Sequence, residues 1–172
     1  MRECLEGKNA LLLAQPDGQL TVLYKFLELM DGKKVDPAMV VPLSPFAGNV
    51  VSHLMFTHLG VPTTSMRAFA VLDSVAGDDV QLVKVTLDVP IAGFDHGLLN
   101  ILHHVDCLDH SASKVWISTL ATTVLLADRI GSPKIFRIKS HPGTIIVSSE
   151  VKSALEGAGC SDRMEFVPVE SH

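Results

Sequence analysis

Ile135-Phe136-Arg137-Ile138, Thr144-Ile145-Ile146-Val147-Ser148-Ser149-Glu150-Val151-Lys152 and Met164-Glu165-Phe166-Val167-Pro168-Val169 read in turn as a strand, a strand entering a capped helix, and a final strand. Val151, Ala154, Leu155 and Ala158 recur at i, i+3, i+4 and i+7, which stacks their side chains on one helical face. Ser148 stands where an N-cap oxygen accepts from orphan backbone N–H groups, and Glu150 places a negative charge in the first turn. Gly157 and Gly159 supply the stop, because glycine enters the left-handed cap conformation without a Cβ penalty. His141-Pro142-Gly143 predicts the hairpin turn before the helix, with Gly143 providing a positive φ. Pro168 lacks an N–H and so sets the last strand at a sheet edge.

Outward from this unit the pattern recurs. Ser65 followed by Ala68, Val71, Leu72 and Val75 has the same spacing, and Val80 to Val85 answers Met164 to Val169. Either the helix-strand unit is duplicated, or the match is what any amphipathic helix before a strand would give. The fold class this predicts is α+β, with a mixed or mostly antiparallel sheet and a few amphipathic helices. Ala10 to Ala14 reads as a strand, Gln15 to Gly18 as a turn, and Leu20 to Leu29 as a strand or short helix. Val80 to Val89, Val115 to Ile117 and Thr122 to Ala127 are further strands, and Asp31 to Lys34 and Ile130 to Pro133 are turns.

At 172 residues the chain is about one domain long, so residues 1–172 are expected to fold as a single domain. Fourteen Lys and Arg against 19 Asp and Glu give a net charge of −5 with no basic block, which argues against nucleic acid and anionic membranes as partners. Cys4, Cys107 and Cys160 have no CxxC spacing, so neither a disulfide framework nor a zinc knuckle is indicated, and no cofactor motif stands out. Glu3, Glu6 and Lys8 spoil a signal peptide, and a cytoplasmic location is expected. Pro37 to Met66 contains no charged residue, yet its prolines and histidines break what a membrane-spanning helix would need. It is expected to be a buried helix around Val50 to Leu59 with flanking loops, or else an apolar surface that meets a partner.

One constellation could carry chemistry: Asp95, His96, His103, His104, Asp106, Cys107, Asp109 and His110. As a helix, the segment would put His96, His103, Cys107 and His110 on one face, with His103 and Cys107 at the i, i+4 spacing of metal ligands. As a strand over Ile101 to Leu108, it would split them between two faces. No remote second pair completes a closed metal site. Gly-x-Ser-x-Gly and a phosphate-cradling loop are absent, so no catalytic residue is assigned, and Asp78-Asp79 reads as a solvated turn. Trp116 is expected in the core or at an interface.

The C-terminal unit, with Ala154-Leu155, Ala158-Gly159 and Phe166-Val167-Pro168-Val169, resembles the signature of the Imm11 family of bacterial immunity proteins. Val80 to Val85, Leu99-Asn100, Val105-Asp106-Cys107-Leu108-Asp109 and Ser111 or Ser113 resemble its landmarks in order. Met55-Phe56, Leu59-Gly60-Val61-Pro62 and Ser65 resemble an earlier phrase. The resemblance covers residues 53–169 and leaves residues 1–52 unmatched. It implies an α+β protein without catalysis of its own, which protects the producing cell by binding a cognate toxin encoded nearby. Within it Asn100, Asp106 and Asp109 are expected to hold turns and strand ends. The histidines are not family landmarks. The partner-binding residues expected on this reading are Asp95, His96, His103, His104, Asp106, Asp109 and His110. The alternatives are a small metal-dependent or thiol enzyme built on the same cluster, and a regulatory module that binds a small ligand.

Overall fold

The computed structural model describes residues 2–3, 12–14, 26–116 and 119–172. The strands in chain order are β1 (Arg2–Glu3), β2 (Leu12–Ala14), β3 (Val40–Ala47), β4 (Leu54–Phe56), β5 (Pro62–Ser65), β6 (Val80–Leu87), β7 (His96–Ile101) and β8 (His104–Val105). They continue as β9 (Lys114–Trp116), β10 (Thr119–Thr122), β11 (Val124–Leu125), β12 (Ile135–Ile138), β13 (His141–Val147), β14 (Met164–Glu165) and β15 (Glu170–Ser171). Residues 26–30 are helical (α1), followed by α2 (Met66–Ala76) and α3 (Ser149–Gly157).

Six strands form one mixed sheet in the order β2-β3-β6-β7-β5-β4. Only β3 and β6 run parallel in it; the other neighbours are antiparallel. The two edges nearly meet, because Leu13 bridges Thr57 and the His58 N–H donates to the Leu13 carbonyl at 2.8 Å. Side-chain alternation then sorts the core into an inside and an outside. Leu13, Val41, Leu43, Met55, Val83 and Leu98 fill the interior, which Phe26 and Leu29 of α1 cover. Leu54, Val80, Leu99 and Ile101 face outward against α2 and α3.

A second sheet, β13-β12-β8, shares that outer core through Ile135 and Ile145. Its opposite face packs Phe136, Ile138 and Ile146 on Cys107, Leu108 and Leu125. Both long helices begin as their sequences dictate. Ser65 Oγ accepts from the Ala68 N–H at 3.1 Å and Ser148 Oγ from the Val151 N–H at 3.3 Å. The helices are tied together where Arg67 donates to the Ala158 carbonyl at the end of α3.

The strands that follow the two helices are not equivalent. β6 is a long strand inside the main sheet, whereas only Met164–Glu165 of the expected last strand pairs, with β1, and Phe166 to Val169 make no ladder. The expected helix around Val50 to Leu59 is also replaced, by the β4-β5 hairpin. Gly60 turns it at φ 77°, and Thr57 accepts from both the Gly60 and Val61 N–H groups. β3 tolerates Pro42 and Pro45 because, among the described residues, its first half pairs with β6 and its second half with β2, so no position is laddered on both sides. The β12-β13 turn falls on Lys139 and Ser140, not on His141 to Gly143, which lie inside β13 at a bulge. Gly143 does not take a positive φ there. No helix among the described residues is long and apolar enough to cross a membrane. The expected turn at Gln15 to Gly18 and the side chain of Trp116 lie outside the described residues.

Candidate partner-binding site

β7 decides where the sequence-predicted residues go. It is buried along its whole length in the main sheet, so it carries Asp95 and His96 to one end of the barrel and His103 to His110 beyond the other. The separation is about 20 Å at the usual rise per residue. Ile101 to Leu108 is neither one helix nor one strand. The chain leaves the main sheet after Ile101 and joins the second through His104 and Val105, which run parallel to Arg137 and Ile138. The His103/Cys107 spacing is therefore not presented by a helix. Cys107 is fully buried, and burial pushes its thiol pKa up. Among the described residues no three His, Cys, Asp or Glu side chains converge as a metal site would need.

His96 is buried; its Nε2 meets the Ser52 carbonyl at 2.7 Å, and its ring stacks on Phe94 at 4.8 Å. Burial lowers its pKa, against the opposing pull of the Ser52 carbonyl and of Asp95 at 3.4 Å. Asp95 itself is exposed. His103 pairs with Asp79 at 3.1 Å. Asp79 is no solvated turn residue: its other oxygen accepts from the Lys134 N–H at 2.7 Å and its carbonyl from the Leu102 N–H, so it fastens the start of β12 to the end of β7. Asp109 closes a turn, accepting from the Ser111 N–H, the Ser111 hydroxyl and the Ala112 N–H, and pairs with His172 at 3.1 Å. These bonds, the Ser111 hydroxyl first, hold its pKa at about 2. Asp106 and His110 stand exposed. His104 packs against Gly32, where a Cβ would come within 2.9 Å of its ring.

Asn100 holds backbone as the resemblance implies. It donates to the Lys33 carbonyl at 2.8 Å and to Gln81, and Gln81 in turn exchanges two hydrogen bonds with the Val35 backbone. Neither Gln81 nor Asp79 was marked by any motif; their roles depend on partners more than 40 positions away.

At the Asp95 end the strand ends of β5 and β6 and the start of β7 come together, because Ser65 registers with His96 and Val83 with Leu98. They frame an open groove of about 430 Å³ whose walls include Met66, Leu87, Pro90, Ile91 and Phe94, with Asp95 on its rim. Met66 is half exposed, and nearby in the chain Val89 is 55% exposed. An exposed apolar groove with a carboxylate at its edge has the anatomy of a protein contact surface. The class that the fold defines is a small α+β domain built on a nearly closed mixed sheet. The chain belongs to the Imm11 immunity protein family, whose model matches residues 8–171. Family membership assigns it to toxin neutralisation, and proteins of this family are typically non-catalytic. The match also takes in nearly all of the first fifty residues, which the resemblance left out. The chain matches no curated protein.

Proposed function

We propose that the protein neutralises one cognate toxin by stoichiometric binding in the cytoplasm, and that the groove beside Asp95 is its principal contact. The family match carries the reading. The groove supports it by offering Met66 and the Pro90 to Phe94 loop as an apolar centre, the part of an interface that supplies most binding energy. Asp95 on the rim, in a chain of net charge −5, suits a toxin surface that is basic and speeds its capture. Among the described residues, the free buried thiols of Cys107 and Cys160 are in keeping with a reducing compartment. Of the residues expected from the sequence, Asp95, Asp106, His110 and half-exposed His103 remain available to a partner, whereas His96 and Asp109 are engaged within the fold.

Charge reversal separates the two ends of the molecule. Asp95→Lys should weaken toxin binding about tenfold or more while leaving the fold intact, and Asp106→Lys should weaken it less. Binding unchanged by Asp95→Lys, measured by titration calorimetry on folded protein, would remove the groove from the interface.

A further inference from the structure

Asp95 is fixed at the rim of the groove by its own backbone. Its carbonyl accepts from the Met66 N–H at 3.0 Å, and the next residue, His96, opens β7. The carboxylate is 59% exposed, and among the described residues its one titratable neighbour within ion-pair distance is His96 Nδ1 at 3.4 Å. That contact leaves its charge uncompensated. His96 Nε2 lies 2.7 Å from the Ser52 carbonyl, which can only accept, so the neutral ring carries its proton on Nε2 and turns the Nδ1 lone pair toward Asp95. Nδ1 is accordingly buried without a hydrogen-bond partner. Burial, the largest influence on this ring, favours the neutral form. Arg67, the cation next in sequence to Met66, is turned away, donating to the Ala158 carbonyl at the end of α3.

The groove therefore offers acceptors and no donors. Apart from Asp95 and His96 its described lining is apolar and contains no Lys or Arg. The N–H groups of α2 that would attract an anion are engaged, that of Met66 on the Asp95 carbonyl and that of Ala68 on Ser65 Oγ. An apolar wall ending at a solvated, unpaired carboxylate complements a long aliphatic side chain that ends in a cation, because the stem loses water against the wall while the charged head stays at the wet rim.

We propose that the groove receives a single lysine or arginine side chain of the toxin, its stem lying against Met66, Leu87, Ile91 and Phe94 and its charged head pairing with Asp95. The assignment rests on the groove being the toxin contact and adds the chemistry of what enters it: the toxin's charge is met at one carboxylate, not by the net −5 of the whole chain.

Titration of the isotope-labelled full chain with n-hexylammonium at neutral pH, set against n-hexanol and followed by NMR amide shifts, tests that chemistry without the toxin. The ammonium should shift Ile91, Phe94 and Asp95 saturably and bind at least about threefold more tightly than the alcohol, as a partly exposed ion pair allows. Asp95→Asn should erase that preference. Asp106→Asn, which removes the same charge beyond the other end of β7, should leave it intact. Equal binding of amine and alcohol, shifts that do not saturate at the groove, or a preference that survives Asp95→Asn would each overturn the assignment. Such a failure, with toxin binding still weakened by Asp95→Lys, would strike the side-chain assignment and leave the groove as the contact; toxin binding indifferent to Asp95→Lys would strike the contact itself.

Discussion

Asp109 shows how far a single carboxylate can be read. The family resemblance implies that it holds a turn or strand end, and the structure has it accepting from Ser111 and Ala112 while meeting His172. Because its folded pKa, about 2, lies below the ordinary 3.8, its ionised form stabilises the fold above pH 3.8, and that stabilisation is lost as pH falls toward 2. Asp109→Ala should therefore lower Tm at neutral pH and flatten the fall of Tm between about pH 4 and pH 2. An unchanged acid limb in the variant would show that the turn does not depend on the charge. Arg137 is the opposite case. The sequence displayed it plainly, one charge among Ile135, Phe136 and Ile138, but its neighbours, the Pro142 carbonyl that it donates to and His104 across the register, are brought to it only by the fold.

Among the elements, those decided by near neighbours were legible. The two Ser-capped helices, their apolar stripes and β6 follow from spacing within a dozen residues, and both cap oxygens accept where that spacing put them. Elements decided by distant partners were not. The uncharged run from Val40 to Ser65 becomes three strands because β3 finds β6 and β5 finds β7, and no local pattern carries that pairing. The hairpin turn moved from His141-Pro142-Gly143 to Lys139-Ser140 because β13 bulges between its pairings with Arg137 and Ile138. Gly97 records another long-range constraint. A Cβ there would come within 2.7 Å of Leu82 Cδ1 and 2.8 Å of the Val83 carbonyl, and a backbone atom inside a sheet cannot step aside. Gly97→Ala should destabilise the protein by about 1–3 kcal/mol, read as a lower midpoint of urea unfolding at unchanged slope. A midpoint equal to wild type would mean that β6 and β7 separate more easily than their register suggests.

On the scale of the whole molecule, a segment that is continuous in sequence is divided in space. Asp95 to His110 looked like one acidic, histidine-rich surface, but β7 runs buried through its middle and sends its two parts to opposite ends. What forms instead is a groove at one end, with Asp95 on its rim, while at the other His103 and Asp109 are paired within the fold. The family assignment gives the molecule a purpose, the neutralisation of a toxin, and the groove is where we propose that the toxin is held. The most direct measurement is growth of cells expressing the product of the neighbouring gene, with and without this chain, followed by co-purification of the two proteins. The account predicts that growth is restored and that the proteins elute as one stoichiometric complex. Restored growth without a complex, or a stable complex that leaves the toxin active, would contradict it.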